Sequence, residues 1–179
     1  MLWAIPIGMV LGRLLGGSLD GLLQLNFRWP WLAVGGLLVQ AVLFTPLGSA
    51  LAGDALIPPI YIGSTLAVFV AVIRNIRLPG MAIVALGALS NLVAITANGG
   101  YMPASAGALA LAGFEDAGEH TNSVVLPNPA FEPLTDIYAL PAWLPLANVF
   151  SVGDVLIGAG VVVAIVAAMR RRGVEVAPA

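Results

Sequence analysis

Residues 134–160 read LTDIYALPAWLPLANVFSVGDVLIGAG. Two acids, Asp136 and Asp154, flank a segment rich in Pro and Trp, and the second stands at the mouth of an apolar run that ends at Arg170, Arg171 and Arg172. An ionised side chain in hydrocarbon costs at least about 2.5–3.5 kcal/mol unless it is solvated or paired. An acid at this place therefore demands an explanation that the apolar residues around it do not.

The rest of the chain fits that reading. Of 179 residues, 60% are hydrophobic and only 9% are charged, against about 25% charged in a soluble domain. The fold class expected is all-α: a polytopic transmembrane helix bundle of about five spans in a single membrane domain, 1–179, with one long irregular outer loop. All seven basic residues are arginine, and the net charge of −2 argues against a nucleic-acid partner. Without cysteine there is no disulfide, thiolate metal site or Cys nucleophile, and the single histidine makes no His cluster. The first residues lack a positively charged n-region, so no cleaved signal peptide is expected there.

Spans are expected near 2–19, 31–51, 55–73, 80–97 and 151–169, with a turn at 52–59 and the outer loop at 98–150. Gly8, Gly12 and Gly16 recur every four residues and would line one helix face, permitting close approach of a neighbour. Gln40, the one strongly polar side chain within the second span, reads as an interhelical hydrogen bond. Residues 106–112 read as a short helix. With five crossings, all seven arginines fall on one face, which the positive-inside rule makes cytoplasmic. The expected location is the cell membrane, with the N-terminus and the 98–150 loop outside and the C-terminus cytoplasmic. The expected partners are the lipid bilayer and another membrane helix or subunit.

Candidate site residues gather at the outer ends of the last two spans. On the fourth, Val84, Gly87, Asn91, Ala94 and Asn98 share one helical face. A buried amide in lipid needs a partner, so Asn91 and Asn98 read either as packing hydrogen bonds or as donors to a ligand. Ser151-Val-Gly-Asp154 has the spacing of a capping box, and an acid in the first turn suits the helix dipole. Asp136 after Thr135 suits an Asx turn. Singly, each acid has a structural explanation. Together, if the 140–145 segment folds Asp136 back onto Asp154, they would share a proton, because two adjacent carboxylates do not both ionise. No cofactor and no metal are expected: Glu115, Asp116, Glu119 and His120 sit in an acidic stretch that nothing fixes in ligand geometry.

Two resemblances attach to these residues. Arg77-Leu-Pro-Gly80, GALSNLVAITANGGYMPAS (87–105) and FSVGDVLIGAG (150–160) resemble an uncharacterised bacterial membrane family, domain of unknown function 5317. That resemblance implies several spans and a bacterial source, and no activity. Locally, Gly87-Ala-Leu-Ser-Asn-Leu92, Thr135-Asp136-Ile137 and Asn148 to Gly158 are similar to elements of lipoprotein signal peptidase (signal peptidase II). The similarity implies Asp136 and Asp154 as a catalytic dyad; beside them, Asn91, Asn98 and Asn148 are the candidate binding residues. The departures are an absent N-x-G-x-x-F element, Val93-Ala94 where that family has Asp-Arg, a longer insertion before Asp136, and a displaced Asn148.

Two functions follow. The first is a non-enzymatic membrane scaffold, accessory or binding protein, supported by the small-residue stripes. The alternative is a membrane aspartyl hydrolase with the Asp136/Asp154 dyad. A channel or transporter fits least, because no internal repeat and no embedded charge is visible.

Overall fold

The computed structural model describes residues 3–114 and 123–171. Among them, in chain order, are α1 (Ala4–Leu14), α2 (Asp20–Leu23), α3 (Pro30–Leu43), α4 (Pro46–Arg74), α5 (Met81–Ala97), β1 (Met102–Pro103), α6 (Ala106–Ala112), β2 (Ser123–Val124), β3 (Tyr138–Leu140), β4 (Asn148–Phe150) and α7 (Val152–Met169), with a 3-10 turn at Glu132–Leu134. The chain is mostly helical, as expected. Two helices, α4 and α7, are long and apolar enough to cross a membrane. Only 28% and 22% of their most apolar windows are buried within the protein, so most of that apolar surface faces outward. The helices α1, α3 and α5 are apolar but shorter.

Several expected boundaries are corrected. The first helix is 11 residues long and ends at Leu14, short of residue 19; Gly16 then turns the chain with φ 78°. The second expected span is interrupted at Phe44 and Thr45, so residues 46–51 belong to the next helix. Thr45 caps that helix, accepting from the Gly48 N–H at 3.0 Å, and Pro46 occupies its first position. A Thr cap followed by Pro is a helix start, which unbroken hydrophobicity concealed. The turn expected at 52–59 lies inside α4, where Gly53 (φ 67°, ψ 162°) interrupts the helix. Pro58 and Pro59 follow within about two turns, near the end where the backbone ladder is already broken.

Small residues set the packing. A Cβ at Gly8 would meet Ile165 Cβ at 3.0 Å, and one at Gly12 would strike the Met169 side chain, so α1 lies close along α7. Gly16 has open space around it and takes no part in that seam. Gly36 lets α3 approach α4: a Cβ there would come within 2.8 Å of the Ser64 carbonyl and the Val68 side chain. Gln40 donates to the Thr65 hydroxyl across the same pair at 3.2 Å, the interhelical bond expected of it. Another close contact is between α5 and α7. There a Cβ on Gly87 would lie 2.9 Å from Ile157 N, and one on Gly160 would lie 2.6 Å from Val84 Cγ2. At the arginine end, Asn75 is buried and clamps the Arg28 peptide through two bonds of 2.7 Å, while Arg74 lies over the Trp29 ring at 5.5 Å.

The described residues of the 98–150 segment are more ordered than an irregular loop. β1 pairs in parallel with β2, and β3 pairs antiparallel with β4 in the register Tyr138↔Phe150, Ala139↔Val149 and Leu140↔Asn148. The short helix expected at 106–112 is present as α6, whose Ala108, Leu109 and Ala112 are buried against Ala104 and Val149. This local core is why a segment so rich in Gly and Pro still folds into a cap.

Gly153→Ala, whose added methyl would strike the Asn91 amide and the Gly87 carbonyl, should destabilise the protein by roughly 1–3 kcal/mol. Gly63→Ala, with open space around it, should be neutral or stabilising by about 0.4–1 kcal/mol. Denaturation of the two variants in detergent would separate them.

Candidate carboxyl-pair site

Asp154 is the third residue of α7, and its place is dictated locally. The Ser151 hydroxyl accepts from the Asp154 N–H at 3.1 Å, and the Asp154 carboxylate accepts from the Ser151 N–H at 3.1 Å. This is the capping box that the Ser-x-x-Asp spacing predicts. The second carboxylate oxygen accepts from the Asn91 amide of α5 at 2.9 Å. The Asn91 carbonyl oxygen in turn accepts from the Ser151 hydroxyl at 2.9 Å. Each Asp154 oxygen thus has one N–H donor, an arrangement suited to a charged carboxylate.

Asp136 reaches the same place by another route. The β3–β4 hairpin reverses the chain across the 141–147 segment, and its register carries Asp136 level with the first turn of α7. The Asp136 backbone is held on both sides: its N–H donates to the Pro103 carbonyl at 2.9 Å, and its carbonyl accepts from the Ser105 N–H at 3.1 Å. Its side chain is only 5% exposed. One carboxyl oxygen accepts from the Ser123 hydroxyl at a long 3.4 Å, and the other, Oδ1, is buried without a hydrogen-bond partner. Burial, and then the neighbouring Asp154 carboxylate, push the Asp136 carboxyl up to about 7, with the Ser123 hydrogen bond opposing them. The Asx-turn explanation does not describe this residue, because its side chain points inward, away from water.

Both acids line one cavity of about 170 Å³, together with Gln40, Tyr61, Thr65 and Asn91. Side chains from α3, α4, α5 and α7 therefore converge with one from the cap. A buried carboxyl raised to about 7 and a second carboxyl held by two N–H donors face the same small polar space, an arrangement that can pass a proton.

The other expected site residues are placed elsewhere. Asn98, just past α5, donates to the Ala94 carbonyl at 2.8 Å and exchanges two hydrogen bonds with Ala130, fastening the cap to the helix end. Asn148 is exposed, and its side chain bonds the neighbouring Val149 N–H. Neither lines the cavity. Asn91 lines it, but its amide is already committed to Asp154 and Ser151. Sequence reasoning missed Tyr61, Thr65 and Ser123 at the site. The hydroxyls of Thr65 and Ser123 are distant in sequence from both acids, and no spacing rule links them. Among the described residues no group of three or more His, Asp or Glu is placed to hold a metal ion. Glu115, Asp116, Glu119 and His120 lie outside the described residues.

Comparison with sequence families gives one match, a family of unknown function, DUF5317, over residues 24–166. The chain belongs to the DUF5317 family. No curated protein and no solved structure matches it. The similarity to signal peptidase II is not shown by any of these comparisons. The DUF5317 match takes in every residue of the cavity, including both acids, while Trp3 and the end of α7 lie beyond it.

The raised Asp136 value sets a sign for stability against pH. With the native carboxyl at about 7 and an ordinary unfolded aspartate near about 3.9, the native state binds more protons between those values. Stability contributed by the protonated form is complete below about 4 and is lost as pH rises through about 7. Melting temperature should fall from pH 5 to pH 8 in the native protein, and Asp136→Asn should flatten that slope; a melting series in buffered detergent reads both.

Proposed function

We propose that this protein is a multi-pass membrane protein whose Asp136/Asp154 pair hydrolyses a carbonyl bond at the outer end of the bundle. The bundle reading is supported by five apolar helices with outward apolar faces, a surface a soluble monomer rarely exposes. It is supported also by charge. Arg13, Arg28, Arg74, Arg77 and Arg170 stand at or beside the helix ends remote from the cap, which the positive-inside rule assigns to the cytoplasm. The cap, the N-terminus and both acids then face outside, and the C-terminus is cytoplasmic.

The observation that carries the hydrolytic reading is the shared cavity: a buried acid with an unpartnered Oδ1 and a carboxylate held by two N–H donors line the same space. Asp154, charged, takes a proton from a water as the water oxygen attacks the substrate carbonyl. Asp136, protonated, gives its proton to the carbonyl oxygen. On collapse of the tetrahedral intermediate the C–O or C–N bond breaks, Asp154 gives its proton to the leaving atom, and Asp136 takes a proton back from a hydroxyl of the intermediate. The products are a carboxylic acid and an alcohol or amine, and the pair ends with the one proton it began with. General acid–base catalysis of this kind contributes about 10²–10⁴-fold.

The scaffold reading has its own supporting observation. The ring of hydrogen bonds among Asn91, Asp154 and Ser151 gives Asp154 a complete packing role. It leaves the buried, unpartnered Asp136 Oδ1 unexplained, because a merely structural acid at that place is destabilising.

The test is heavy-oxygen water. The purified protein in nanodiscs is incubated with total membrane lipid and peptide extract, and isotope incorporation into released carboxyl groups is read by mass spectrometry. Asp136→Asn and Asp154→Asn should each lower incorporation by about 10²–10⁴-fold. Incorporation in the native protein no higher than in the double variant would leave the scaffold reading standing.

A further inference from the structure

Asp154 lines a second space. Meeting the polar cavity at Asp154, an apolar groove of about 650 Å³ runs between α1 and α7 under the β3–β4 hairpin. Its walls are Ala4 and Ile7 on one side and Gly158, Ala159 and Val162 on the other, with Trp3, Leu144 and Phe150 near its upper end. Asp154 is its one charged lining residue. Ala4, Gly158 and Ala159 leave room for it: a Cβ at Gly158 would meet only Ala4 Cβ, at 3.8 Å. The upper end is tied by the Trp3 indole N–H, which donates to the Pro145 carbonyl at 3.3 Å.

We propose that this groove seats one acyl chain of a membrane lipid and presents that lipid's carbonyl to Asp154. The proposal rests on the hydrolytic reading of the carboxyl pair and names its substrate class. Two properties of the groove select the occupant. Its lining side chains, apart from Asp154, are aliphatic or aromatic, with the one indole N–H already engaged. An extended peptide would leave its backbone N–H and C=O groups without partners there, whereas an acyl chain has none to satisfy. Finally, the groove is continuous with exposed apolar surface, since Val155 on its rim and Val163 beside it are 52% and 42% exposed. A chain entering sideways from the bilayer would meet hydrocarbon all along α7 and a carboxylate only at the end. A lipid ester is the carbonyl carried at the head of such a chain, so hydrolysis there yields a fatty acid and a lysolipid alcohol.

The full chain in phosphatidylglycerol nanodiscs, doped with phosphatidylglycerol carrying a photoreactive acyl chain, tests this. Cross-links should map to the facing stretches of α1 and α7. Ala159 is exposed and Val162 half-buried, so Ala159→Leu and Val162→Trp fill the groove from positions that fold without rearrangement. Each should lower cross-linking and heavy-oxygen incorporation into fatty acid by about tenfold, roughly 1.4 kcal/mol of binding, at an unchanged melting temperature. Asp154→Asn should keep the cross-links and lose the hydrolysis. Cross-links outside the groove, or undiminished in both filled variants, overturn the seat even if hydrolysis is found. Groove cross-links without hydrolysis in the native protein overturn the hydrolytic reading and leave only the chain seat.

Discussion

The structure depends on how closely α5 and α7 approach. Gly87, Gly153 and Gly160 remove the side chains that would hold the helices apart, and a Cβ at any of the three would collide with the opposite helix. Only at that spacing does the Asn91 amide reach both Asp154 and Ser151. The hydrogen bonds then do more than join helices. They fix the Asp154 carboxylate at the top of α7, where two spaces of opposite character meet: the polar cavity shared with Asp136 and the apolar groove against α1. A wider seam would leave Asn91 unpartnered in an apolar layer, and the carboxylate would be free to turn out toward solvent.

The cap solves the complementary problem of burying an acid. Asp136 is enclosed because its backbone is bonded to Pro103 and Ser105 on either side, so the chain cannot rotate the carboxyl outward. Its Oδ1 is left without a partner. Asp154 is satisfied by its neighbours and Asp136 is not, and burial beside Asp154 pushes the Asp136 carboxyl up to about 7. A buried unsatisfied polar group opposes folding. Where every surrounding element is otherwise consistent, such an exception points to function.

Charge and apolarity are sorted along the bundle. Arginines gather at one set of helix ends, and the paired acids lie at the other, beneath the cap. Between them the helices are apolar on nearly every face, with Gln40 and Thr65 bonded to each other. This leaves the acid end as the place where polar groups of four helices and the cap converge.

The sequence by itself determined the helical class, the apolar character of the segments, the capping box at Ser151 and the small-residue face of α5. Each of these is written in neighbouring residues or in a fixed helical period. It located the interhelical bond of Gln40 as a need without naming Thr65 as its partner. It misplaced the α3–α4 boundary, because the Thr45-Pro46 start lies inside continuous hydrophobicity, and it read the cap as irregular, because strands of two or three residues carry no periodicity. Asp136 and Asp154 were visible as a pair, but their meeting, the burial of one and the commitment of Asn91 to the other were decided by tertiary structure alone. The hairpin register that levels Asp136 with α7, and the glycine seam that brings α5 against it, act across tens of residues. The energy that raises the Asp136 carboxyl comes from what surrounds it in space, and no spacing along the chain records that.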